Sequence, residues 1–85
     1  MIALIGIMVE SESAVEKVNA LLHDYRDCVV GRMGLPLREK GVNVISVVLD
    51  TDAGKINALT GKLGSIDGGK TVRAKALYGV ERVKE

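Results

Sequence analysis

The first nine residues, Met1 to Val9 (MIALIGIMV), form an unbroken apolar run. That is short for a helix, and isoleucine and valine favour extended backbone. The run therefore predicts a β-strand buried on both faces. Ser13 with Glu16 three positions on forms a capping box, in which each side chain satisfies an orphan amide at a helix start. Val15, Val18, Leu22 and Tyr25 then recur at helical spacing, widened by Ala14 and Leu21, and predict a helix ending near Asp27. Cys28 to Leu37 alternates, with Val29, Gly31, Met33, Leu35 and Leu37 on the mainly apolar parity. Pro36 has no amide to donate, so this strand belongs at a sheet edge or carries a bulge there. Arg38 to Gly41 reads as a hairpin loop, and Val42 to Leu49 as a central strand, apolar on both parities apart from Asn43 and Ser46.

Thr51 or Asp52 can cap a second helix, whose inner side is Ile56, Leu59 and Leu63. Gly64 is its expected terminal glycine, and Asp67-Gly68-Gly69 a turn. Lys70 to Tyr78 alternates as the last strand, and Gly79 to Glu85 is expected to be a frayed polar tail. The order β-α-β-β-α-β with right-handed crossovers predicts an α+β, ferredoxin-like sandwich in a single domain. Its four-stranded antiparallel sheet, in order 4-1-3-2, would carry both helices on one face. The apolar first and third strands would then lie in the middle, and the alternating second and fourth at the edges.

Two helices cover only one face of such a sheet. The other face should be polar in a monomer, yet the two middle strands have no polar parity to offer it. Either Ala3, Ile5 and Ile7 or Ile2, Leu4 and Met8 must point outward, with Arg32, Arg73 and Lys75 around them. An apolar patch of this kind predicts self-association, through the open face or through strand edges.

Composition narrows the function. The chain has 85 residues, 47% hydrophobic and 2% aromatic, enough for one small core and too little for an enzyme with a cleft between lobes. A net charge of +1 lacks the basic excess typical of proteins that live on nucleic acid or acidic lipid. The middle strands also hold no aromatic on which an RNA base could stack. The charge is uneven, acidic over residues 1–30 and basic over 70–85, as neighbouring strands or packed subunits would allow. One cysteine excludes an internal disulfide and fits a reducing compartment. The apolar start lacks a basic leader and is too short to cross a bilayer, so a cytoplasmic protein with no membrane partner is expected.

Chemistry-bearing residues are few. His23 shares a helix face with Asn19 and Asp27, which supplies too few ligands for a metal unless another subunit contributes. Cys28 reads as a small buried hydrophobe. No nucleophile–base set and no phosphate-binding loop or dinucleotide fingerprint occurs, so no enzyme and no cofactor are expected. Two glycine pairs enclose a basic residue, Gly31-Arg32-Met33-Gly34 and Gly61-Lys62-Leu63-Gly64. Glycine there would serve close packing of helix on strand or of subunits, or would let an anion approach, with Arg32 or Lys62 adding charge.

Val18-Asn19-Ala20-Leu21-Leu22-His23, Arg32-Met33-Gly34-Leu35-Pro36-Leu37-Arg38-Glu39 and Ile56-Asn57-Ala58-Leu59-Thr60-Gly61-Lys62-Leu63-Gly64-Ser65-Ile66 strongly resemble the iron-only hydrogenase system regulators, small stand-alone bacterial proteins. The resemblance covers residues 2–76; the turn at Gly68-Gly69 and Lys70-Thr71-Val72 departs modestly from the family's pattern. It implies an ACT-like variant of the fold, related to the regulatory half of nickel-responsive repressors, and assembly into dimers or tetramers. It also implies a non-enzymatic regulatory role in hydrogenase systems. ACT-like domains bind small effectors where a loop meets a neighbouring subunit, which nominates Arg32, Gly34, Gly61, Lys62 and Gly64 as ligand-binding residues. The nickel-responsive relatives use several histidines and a cysteine, and this chain has one of each, so no metal site transfers. The chain also lacks the relatives' DNA-binding element, so direct nucleic-acid binding is not expected. Two other roles fit the same residues: an adaptor for a hydrogenase maturation factor or a transcription factor, and a metal sensor using His23 across subunits.

Overall fold

The computed structural model describes residues 1–78. The tail expected over residues 79–85 lies outside the described residues. The elements are β1 (Ile2–Val9), α1 (Glu12–Asp24), β2 (Val29–Leu37), β3 (Val42–Asp50), α2 (Ala53–Gly64) and β4 (Val72–Tyr78). The four strands form one antiparallel sheet in the order β2-β3-β1-β4, as the sequence predicts. The fold is an α+β, ferredoxin-like sandwich.

One parity of each middle strand builds the core. Ala3, Ile5, Ile7 and Val9 of β1 and Ile45, Val47 and Leu49 of β3 are buried. Against them lie Ala14, Val18 and Leu22 of α1 and Ile56, Leu59 and Leu63 of α2. These residues recur every three or four positions, so each helix brings one continuous stripe to the sheet. The other parity of β1 is not buried: Leu4 is 39% and Met8 50% exposed. The expectation of a strand buried on both faces is corrected accordingly, since no element of this chain among the described residues covers the second face.

The helix ends depart from the sequence reading in detail. Ser11 caps α1, its hydroxyl accepting the Ala14 amide at 3.0 Å, so the helix starts ahead of the capping box expected at Ser13. The helix closes at Asp24, and a single 3₁₀ turn, Arg26–Cys28, leads into β2. Cys28 is half-buried rather than buried. Asp52 caps α2, accepting the Lys55 amide at 2.8 Å. Gly64 stays helical, and the left-handed residues come later, at Asp67 (φ 53°), Gly68 (φ 69°) and Gly69 (φ 82°). At Gly69 a side chain would also meet the Gly64 carbonyl at 3.3 Å, so this reversal requires glycine twice over.

Asp67 is the non-glycine residue in that reversal. Its carboxylate accepts from the Lys17 ammonium of α1 and, at 2.8 Å, from the Thr71 hydroxyl. These hydrogen bonds, the Lys17 bond foremost, hold its pKa below the ordinary 3.8. A depressed carboxyl contributes stability that is present above its unfolded pKa and lost as pH falls through its folded one.

Asp67→Asn keeps a residue that tolerates the left-handed backbone but removes the charge. Thermal melts should show a lower Tm than wild type at pH 7 and convergence of the two chains as the pH falls through the lowered pKa of the Asp67 carboxyl; a constant difference across that range would contradict the assignment. Leu59→Ala, at a fully buried site, should cost about 2–5 kcal/mol in chemical denaturation.

Candidate interaction face and groove

The strand register sets out the open face row by row. Met33, Ser46, Gly6 and Lys75 lie side by side across the sheet, as do Leu35, Val44, Met8 and Arg73. Val48, Leu4 and Leu77 form a third row. Met33, Leu35 and Leu77 are 71%, 58% and 68% exposed, and Leu37 at the strand end is 38% exposed. Most of the large exposed hydrophobics of the described residues thus point to one side. Charge on this side comes from β4, through Arg73 and Lys75, and from Asp50 at the end of β3. Gly6 sits at the centre, where a side chain would meet nothing within 4 Å. The dimple it leaves, bordered by Met8, Val44, Arg73 and Lys75, measures about 320 Å³.

β2 reaches this face through a bulge. Val29 pairs with Leu49 and Gly31 with Val48, so Val30 is an extra residue without a partner. The bulge inverts the alternation behind it. Val29 keeps to the helix side, while Met33, Leu35 and Leu37 turn to the open side. Pro36 lies on an edge strand, as its missing amide requires, but the irregularity is at Val30.

Arg32 is therefore not at the rim of the open face, as the alternation predicts, but on the helix side opposite Val47. Its guanidinium donates to the Asn19 Oδ1 of α1 at 2.9 Å. Arg26 folds back to donate to the His23 carbonyl at 3.0 Å. Together Asn19, Leu22, His23, Arg26, Val29 and Arg32 line a groove of about 320 Å³ between α1 and β2. Asn19 and His23 share a helix face, as the sequence indicates. Arg26 joins them from the 3₁₀ turn after the helix, three positions beyond His23, a spacing visible in the sequence.

The other nominated residues lie apart from this groove. Gly34 neighbours Arg32 on the same side of β2, opposite Ile45. Gly61, Lys62 and Gly64 are in the last turns of α2. Lys62 donates to the Tyr25 hydroxyl at 3.1 Å, its ammonium 5.3 Å from the ring centre, which ties the ends of the two helices together. A side chain at Gly31, Gly34, Gly61 or Gly64 would meet nothing within 4 Å, so packing inside one chain does not require these glycines. Among the described residues no three His, Cys, Asp or Glu side chains cluster as metal ligands, and no helix is long and apolar enough to cross a membrane.

A four-stranded sheet with one helical layer and an apolar free face defines the class, an α+β domain of ferredoxin-like fold. Residues 1–76 match the model of the TM1266-like family, described as "Iron-only hydrogenase system regulator, putative", and the chain belongs to this family. The solved structure of TM1266 from Thermotoga maritima is similar at 40% identity and a TM-score of 0.81, over 89% of this chain and 92% of that one. A formyltetrahydrofolate deformylase from Pseudomonas putida KT2440 shares the fold at a TM-score of 0.64 and 17% identity, and this chain spans 29% of it. No curated protein matches the sequence.

Because their side chains are exposed, Arg26→Met and Arg32→Met should each shift the unfolding free energy by no more than about 0.5 kcal/mol in urea titrations. A larger loss would mean that the groove is a structural joint between α1 and β2.

Proposed function

We propose that this chain is a non-enzymatic regulatory module of an iron-only hydrogenase system. In this reading it works as a cytoplasmic assembly of identical subunits that senses a small molecule. The observation that carries it is the open face: an apolar centre of Leu4, Met8, Met33, Leu35 and Val44, bordered on one side by Arg73 and Lys75. An apolar centre with a charged rim is the anatomy of a protein interface. Four strands about 4.8 Å apart and eight residues at about 3.3 Å each give a face of about 19 by 26 Å. Its projected area, about 500 Å², is smaller than the about 800 Å² of accessible surface per partner in a standard interface, and the protruding side chains add to it.

The occupant is a second copy of the chain. An apolar sheet face can bury itself against the same face of a second copy, and family membership supports a regulatory rather than a catalytic role. The same face could receive a maturation factor or a transcription factor if the chain served as an adaptor. Of the nominated ligand-binding residues, Arg32 lines the α1–β2 groove, and the sensing function is assigned there. A metal-sensing role for His23 is the weaker reading, because two guanidinium groups line the same groove and repel a cation.

Light scattering should return at least a dimer for the wild type. Leu4→Glu places a charge in the apolar centre, and Gly6→Val fills the central dimple without touching its own chain. Both should shift the mass toward the monomer while circular dichroism stays native. A soluble wild-type monomer that binds no hydrophobic dye would overturn the self-association. A wild-type monomer that captures a maturation factor through Leu4 would replace it with the adaptor.

A further inference from the structure

The groove between α1 and β2 has a chemistry of its own. Its walls are Arg26 and His23 on one side and Arg32 on the other, with Asn19 beside Arg32 and Leu22 and Val29 beneath. Among the described residues the ion pairs are Lys17–Asp67, Arg73–Glu10 and the N-terminal amine with Asp50. Neither Arg26 nor Arg32 belongs to one of them. Each spends a guanidinium nitrogen on a neutral oxygen, Arg26 on the His23 carbonyl and Arg32 on the Asn19 amide. These bonds hold the two forks in place and leave further N–H donors on each unspent. Leu22 is 3% exposed and gives the groove an apolar base.

We propose that this groove binds the phosphate group of a small organic phosphomonoester. The inference rests on the ligand-sensing part of the proposed function and names the chemical class sensed. A fixed guanidinium pairs with an oxyanion through two parallel hydrogen bonds. A carboxylate has two oxygens, which one such fork satisfies. A phosphate monoester has three free oxygens and up to two negative charges, so it can accept from both arginine walls at once. The His23 ring and the Asn19 amide add donors at the rim. A volume of about 320 Å³ lies at the small end of ligand sites and admits a phosphate with a few carbons, which the Leu22 and Val29 base would shelter.

The test is a titration of the full chain followed by amide NMR, with glycerol 3-phosphate, inorganic phosphate and succinate as separate probes. Glycerol 3-phosphate should give saturable shifts at Asn19, His23, Arg26 and Arg32, with weaker binding of inorganic phosphate and weaker still of succinate. Arg26→Met and Arg32→Met should each weaken it by about tenfold or more, while Lys55→Met, which removes the same charge from α2, should leave it unchanged. Equal weakening by Lys55→Met would mean diffuse charge attraction and overturn the site. Saturation of the groove by succinate but not by the phosphates would overturn the phosphate class and leave a ligand-sensing groove standing. Silence from every probe would remove both. The mass of the Leu4→Glu variant reports self-association separately from all of these results.

Discussion

The structure depends on a mismatch of layers: four strands expose two faces, and two helices can cover one. Everything on the covered side is consistent with a small, well-packed domain. The odd-numbered residues of β1 and β3 meet one stripe from each helix, and no polar side-chain atom is buried without a partner among the described residues. The uncovered side presents the other parity of the same strands. Because β1 and β3 are apolar on both parities, the free face inherits leucine, methionine and valine where a solitary domain would place threonine or lysine. Burial of that face would be worth free energy that no element among the described residues collects.

Charge is arranged around this face. The acidic first third of the chain and the basic last strand meet where Glu10, just after β1, pairs with Arg73 of β4 at 3.0 Å. Lys17 of α1 and Asp67 in the reversal before β4 form a second pair, with the opposite polarity. Such exposed pairs add little to stability, but they use up charge that would otherwise be free. Among the described residues Arg26, ahead of β2, and Arg32, within it, form no such pair. In the proposed reading, a ligand in the α1–β2 groove would touch both a helix of the covered layer and the edge strand that supplies Met33 and Leu35 to the open face.

The ferredoxin-like scaffold serves many unrelated functions, and likeness to part of a deformylase carries the fold alone. Family membership is the narrower statement, and it holds across nearly the whole chain. In the proposed reading the two sides of the sheet have different roles: an apolar side for contact between chains, and a helix-side groove for a small anion.

Much of this was legible in the sequence. The element order, the strand order, the buried stripes of both helices and the edge position of the Pro36 strand all follow from local periodicity and from the proline's missing amide. So does the existence of an apolar free face, because no assignment of parity could make β1 or β3 polar on either side. What the sequence could not say was which parity faced out, where β2 changed sides, and which of the nominated residues met. Those depend on Val30, a single unpaired residue in an otherwise regular alternation. It carries no mark that separates it from its neighbours, since a bulge is settled by how Val29 and Met33 each find their layer. That one insertion moves Arg32 from the open face to the helix face and places it against Asn19, thirteen positions away, while Lys62 is claimed by Tyr25. Periodicity is a property of each segment taken alone, whereas a groove is made by two segments whose relative register only the packed sheet decides.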